Sequence, residues 1–131
     1  MTAFLDTNVL VRHLTGDPPE PAARATAYLS RAEALLLPDL ILAEAAYVLE
    51  SFYEAPRAQV AEALRAALAF PAIRVVDAEL LLRAVEVYDT HRLDFADAFL
   101  VACAERTGVG EVASFDRGID RVPTVRRVEP G

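Results

Sequence analysis

Short apolar runs alternate along this chain with helical stretches, and that alternation narrows the fold more than any other feature. Ala3 to Leu5, Leu35 to Leu37, Ile73 to Val76, Val112 to Phe115 and Thr124 to Val128 read as strands. The helical stretches between them carry recognisable ends. Thr7 to Leu14 is closed by Thr15, Gly16 and Asp17. Pro18, Pro19 and Pro21 open a second helix to about Ala34, because proline is tolerated in a first turn. Asp39 is placed to cap a third, Leu40 to about Tyr53, and Pro56 opens a fourth through Phe70. Asp77 caps a fifth, Ala78 to about Thr90, and Asp94 caps a sixth, Phe95 to Arg106, which stops at Gly108.

The expectation is an α/β chain forming one domain over residues 1–131. Helices should cover both faces of a central, mostly parallel sheet of about five short strands, a three-layer α/β/α arrangement. Sites in such sheets lie beyond the carboxyl ends of the strands, where the strand order reverses. Asp6 follows the first strand and Asp116 the fourth. If those strands are neighbours, the two carboxylates converge at that place.

Four acids sit in apolar company. Glu44 is the one charge between Leu40 and Leu49, and Asp97 the one charge between Phe95 and Ala104. Helices apolar all round are expected to be buried, and a carboxylate inside one costs several kcal/mol unless something pairs with it. Ion pairing with a buried arginine is the plain explanation for one such acid. For Asp6, Glu44, Asp97 and Asp116 together it needs four buried arginines; Arg12 is placed to serve one, and most others fall on polar faces or in loops. The alternative is a cluster sharing a cation, since clustered carboxylates otherwise repel and take up protons. Oxygen ligands select Mg²⁺ or Mn²⁺, one or two ions, and the chemistry of such sites is phosphoryl-ester hydrolysis.

Lesser candidates have two readings each. Thr7 and Asn8 either cap the first helix or orient a ligand carboxylate, and Ser114 stands two residues before Asp116. Asp94 is a helix cap that also lies three residues before Asp97; Asp120 lies near the same mouth.

Composition bounds the rest. Hydrophobic residues make up 54%, above the usual ~45–50%, which points to a partner or dimer interface. No apolar run approaches the ~18 residues of a membrane span, no signal peptide is evident, and Cys103 stands alone. A soluble cytoplasmic protein is expected. The net charge of −7 argues against broad phosphate gripping, and all thirteen basic residues are arginine. The missing lysine excludes aspartyl-nucleophile phosphatases, receiver domains and P-loops. Two histidines and one cysteine make a structural zinc site untenable.

FLDTNVLV at the start, LAEAAYVL, LDFADAFLVACA and VASFDRGI, in that order, resemble the PIN-domain family, and within it the VapC type of toxin from toxin–antitoxin pairs. The resemblance covers essentially the whole chain. It implies a parallel sheet of about five strands between helices and a metal-dependent ribonuclease. The family's acids map onto Asp6, Glu44, Asp97 and Asp116, and its hydroxyls onto Thr7 and Ser114. Asp6 and Asp97 would ligate Mg²⁺ or Mn²⁺ directly; Glu44 and Asp116 would complete the set or position the water that attacks an RNA phosphodiester. The resemblance also implies a homodimer and a small antitoxin whose tail covers the site. Two further readings stay open, a housekeeping RNA-processing nuclease of the same fold and a catalytically idle binding module.

Overall fold

The computed structural model describes residues 2–131. The chain is an α/β protein whose elements gather into two compact units, Met1–Val76 and Asp77–Gly131.

In the first unit β1 (Thr2–Phe4), β2 (Ala34–Leu36) and β3 (Ile73–Arg74) pair side by side in that order, all parallel. Ala3 lies opposite Leu35, and Leu35 opposite Ile73. Parallel neighbours cannot be joined by a tight turn, so each crossover carries helices. These are α1 (Thr7–Thr15) and α2 (Pro19–Arg31), then α3 (Asp39–Ser51) and α4 (Arg57–Ala69). Helix α1 packs on α2 and α3, and α3 packs on α4. The buried face of α3 is Leu42, Ala45, Ala46 and Leu49, three and four residues apart. Leu42 has no exposed surface, and cutting it to alanine would cost about 2–5 kcal/mol.

The second unit holds α5 (Ala78–His91), α6 (Phe95–Thr107), β4 (Glu111–Ala113), a 3₁₀ turn (Arg117–Arg121) and β5 (Arg126–Val128). Helix α5 packs along α6, with the fully buried Tyr88 ring 6.1 Å from that of Phe95. Strands β4 and β5 pair in parallel, Val112 opposite Arg127.

Local chemistry sets the ends. Asp6 caps α1, accepting the Thr7 N–H at 2.8 Å, and Gly16 closes it at φ 71°. Asp77 caps α5 as expected, accepting the Leu80 N–H at 3.1 Å. Asp39 is not a cap: Pro38 holds that position and Asp39 is the first residue of α3. Asp94 stands at the cap of α6, but its side chain makes no capping hydrogen bond.

The sheet differs from the expectation. The five short strands do not form one sheet: three pair in the first unit and two in the second. Within the first unit the hydrogen-bonded neighbour of β1 is β2, and within the second that of β4 is β5. Strand β3 keeps only two of the four residues expected. Among the described residues no helix is long and apolar enough to cross a membrane.

Candidate functional site

The first unit carries Asp6, Thr7, Asn8 and Glu44. Asp6 stands where the chain turns from β1 into α1, so its carboxylate lies at the helix N-terminus, which favours negative charge. Asp6, Thr7 and Asn8 line a cavity of about 430 Å³ together with Glu44 and Arg12. Its far wall is Val48, Phe52 and Tyr53, and the Tyr53 hydroxyl donates to Asp17 Oδ2 at 2.9 Å.

Thr7 is the one buried polar residue of the described chain, 5% exposed, and its Oγ1 has no hydrogen-bond partner. A hydroxyl left so costs roughly 1–3 kcal/mol. Thr7 stands beside Asp6 in the lining of the same cavity. Capping, the other reading of Thr7, is done by Asp6.

Glu44 is not buried, contrary to the expectation from its sequence. Helix α3 is apolar all round but has a solvent face. Leu40 (75% exposed), Glu44 and Tyr47 (64% exposed) stand on it at helical spacing. Asp6 and Asp116 are exposed as well, and only Asp97 is half-buried. Burial therefore does not single out the four acids. Their neighbours do.

In the second unit those neighbours are other carboxyls. Asp97, in the first turn of α6, has the Asp116 carboxyl within hydrogen-bonding reach and Asp94 close enough to feel. Burial first, then the bond to Asp116 and the negative charges of Asp116 and Asp94, raise Asp97 above the ordinary aspartate range. No arginine offsets this. Asp116 is held by its loop: its Oδ1 accepts the Gly118 N–H at 2.8 Å, and its own N–H donates to Ser114 Oγ at 2.9 Å. A Cβ at Gly118 would stand 3.0 Å from that Oδ1, so a larger residue there would crowd the carboxyl. Ser114 thus shapes the loop that carries Asp116. Asp120 takes the plainer of its two readings, an ion pair with Arg127 at 3.1 Å.

The acids come in twos, Asp6 with Glu44 around one cavity and Asp97 with Asp116. Among the described residues no three His, Cys, Asp or Glu side chains stand gathered as a metal cage. The Phe52–Tyr53 wall was not foreseen in the sequence; two adjacent aromatics closing an apolar helix were its signal.

Comparison with known proteins adds a family. No curated protein matches the chain. Among solved structures it is similar to the VapC20 toxin of Mycobacterium tuberculosis, which cleaves the sarcin–ricin loop. The identity is 22% over 90% of this chain and 92% of that one, with a TM-score of 0.43. It is also similar to VapBC2 of Rickettsia felis, solved bound to a DNA fragment from its promoter. There the identity is 15% over 98% of both chains, with a TM-score of 0.39. The PIN domain matches residues 3–125. That span takes in every acid described above, and the chain belongs to the PIN domain family.

Proposed function

We propose that this protein is a divalent-metal-dependent endoribonuclease that hydrolyses RNA phosphodiesters, acting as the toxin of a VapBC-type toxin–antitoxin pair. The observation that carries the reading is the Asp97–Asp116 contact. Two carboxyls within hydrogen-bonding reach, with Asp94 beside them and no arginine in answer, are neutralised only by a proton or a cation. Membership of the PIN domain family supports the nuclease chemistry.

The residues fit a hard ion. The donors are carboxylates, with the unpartnered Thr7 hydroxyl beside Asp6. Such a set suits Mg²⁺ or Mn²⁺, one ion or two. Asp6 and Glu44 in the first unit, and Asp97 and Asp116 in the second, would each supply ligands. When bound, the ion supplies the positive charge that an attack on a phosphodiester needs. The chain's own groups do the rest. Asp6 holds its carboxylate at the N-cap of α1 and Asp97 in the first turn of α6, where little motion is available to them. Ser114 and Gly118 fix the loop of Asp116. Asp94, free of a capping bond, remains available to accept a proton from a water. Thr7 and Asn8 border the cavity that receives the substrate.

In this reading the exposed apolar stripe of Leu40 and Tyr47 meets a second copy of the chain, giving a homodimer. A small antitoxin covers the cavity, and the protein works in the cytoplasm.

The test is RNA cleavage by the purified chain with Mg²⁺ or Mn²⁺ against a chelator, beside Asp6→Asn and Asp97→Asn. Metal-dependent cutting lost in both variants is the expected result. Equal cutting by all three proteins, or none with any metal, would overturn the assignment. An adjacent small gene for a DNA-binding protein separates a toxin from a housekeeping nuclease.

A further inference from the structure

Among the described residues Arg24, Arg83, Arg106, Arg126 and Arg127 each hold a carboxylate. In a chain of −7 net charge that is the ordinary fate of a guanidinium. Arg92, Arg117 and Arg121 are different. All three are exposed and, among the described residues, hold no carboxylate, as is also true of Arg12, Arg31 and Arg74; what sets them apart is that their chain segments come together in the second unit. The Arg121 guanidinium donates to the Arg92 carbonyl at 2.8 Å. Leu93 packs against Gly118, 3.3 Å from where a Cβ would stand, which draws the segment of Arg92 up to that of Arg117.

Arg92 sits in a conformation that arginine avoids. It ends α5 at φ 59° and ψ 41°, left-handed backbone where glycine or asparagine is the usual choice. A strained non-glycine residue beside a candidate site invites a functional explanation. Each arginine also lies close along the chain to an acid of the site: Arg92 two residues before Asp94, Arg117 directly after Asp116, Arg121 at the end of the same turn.

We propose that Arg92, Arg117 and Arg121 form a clamp for the phosphate backbone of a single nucleic-acid strand and position it beside Asp94, Asp97 and Asp116. The inference rests on the nuclease reading and adds to it the substrate-positioning groups, since no acid can hold a polyanion. Guanidinium groups without carboxylate partners are the fit for phosphate oxygens, and they carry no base preference. The clamp also accounts for how so acidic a chain approaches a polyanion: the positive charge is local.

The test is binding without cleavage. A fluorescein-labelled oligouridine is titrated in chelator at a series of salt concentrations, read by anisotropy. The proteins are wild type, Arg92→Gly, Arg117→Ala, Arg121→Ala and the triple variant. The expected loss is about fivefold in affinity for each single change and about a hundredfold for the triple. The slope of log affinity against log salt should fall by about 2 in the triple, roughly 0.7 for each phosphate contact of a single strand. Arg126→Ala, which removes an equal charge from an ion pair, should leave that slope unchanged. Arg92→Gly should melt no lower than wild type, because glycine relieves the backbone, and Arg92→Lys should recover most of the affinity. Wild type and triple variant alike in slope, or no binding by wild type, overturns the clamp. So does a triple variant that keeps its RNA affinity and loses binding to polyglutamate, which would assign the corner to an acidic protein segment. Metal-dependent cleavage is scored separately, so a failed clamp with intact cleavage leaves the nuclease reading standing.

Discussion

Asp116, its carboxyl held by the Gly118 N–H, comes within hydrogen-bonding reach of Asp97, so two carboxyls from separate elements lie together with Asp94 nearby. Repulsion of that kind is a debt of the metal-free protein. Asp97→Asn removes one charge and keeps the shape, so it should melt at or slightly above wild type in chelator. Adding Mn²⁺ should raise the wild-type melting temperature, by the equivalent of about 2.7 kcal/mol at a hundredfold excess over Kd, and the variant's far less. Differential scanning fluorimetry with and without metal checks both. A variant that destabilises the chelated protein would identify Asp97 as a structural partner instead.

Arg83 holds Glu105 with two parallel bonds, Nε to Oε1 at 2.8 Å and Nη2 to Oε2 at 2.9 Å. The bond to Arg83 is the main force holding the Glu105 carboxyl below the usual glutamate range, with help from Thr124. A carboxyl lowered by folding contributes stability that is fully present above its unfolded value, about 4.3, and lost as pH falls through the lower folded value. Arg83→Gln should therefore cost about 1 kcal/mol at pH 7, modest because Arg83 keeps 32% of its side chain exposed. The difference should shrink as pH falls below 4. Melting curves of the two proteins across that range decide it; a pH-independent gap would mean lost packing, not lost charge.

Leu40 and Tyr47 flank Glu44 on the solvent face of α3. Substituting an exposed side chain usually moves stability by no more than about 0.5 kcal/mol. Leu40→Asp should thus leave the melting temperature near wild type. If that stripe joins two copies, it should shift the protein from dimer to monomer. Light scattering at matched concentrations reads the mass, and an unchanged dimer would put the interface elsewhere.

That stripe also shows what the sequence could and could not tell. Gly16 and Asp77 were legible as helix ends because capping is decided within a few residues, whereas the cap of α1, expected at Thr7 or Asn8, is Asp6. The resemblance to PIN domains was legible because four short motifs keep their order over the whole chain, and the family match bears it out. The burial of Glu44 was misread. An apolar helix reads as buried on every side, yet only the Leu42–Leu49 face is covered. The pairing of β4 with β5 was out of reach, since three-residue strands carry no period to align. Nor does anything local announce that Arg92 takes a glycine-like backbone. The Asp97–Asp116 contact depends on where a turn brings two distant segments, and no spacing rule contains it.

Thr7 separates site from scaffold most sharply. Its hydroxyl is buried without a partner beside Asp6, so in the metal-free protein it is a cost of roughly 1 kcal/mol or more. Thr7→Val keeps the shape and removes the oxygen. If the hydroxyl exists for folding, the variant should melt lower. If it serves a ligand or a water at the site, the chelated variant should melt about 2–4 °C higher, while metal-dependent cleavage falls by about 10–100-fold. Thr7→Ser, which restores the oxygen, should restore most of the activity. A valine variant that is both more stable and fully active would leave the hydroxyl without a role and remove Thr7 from the site.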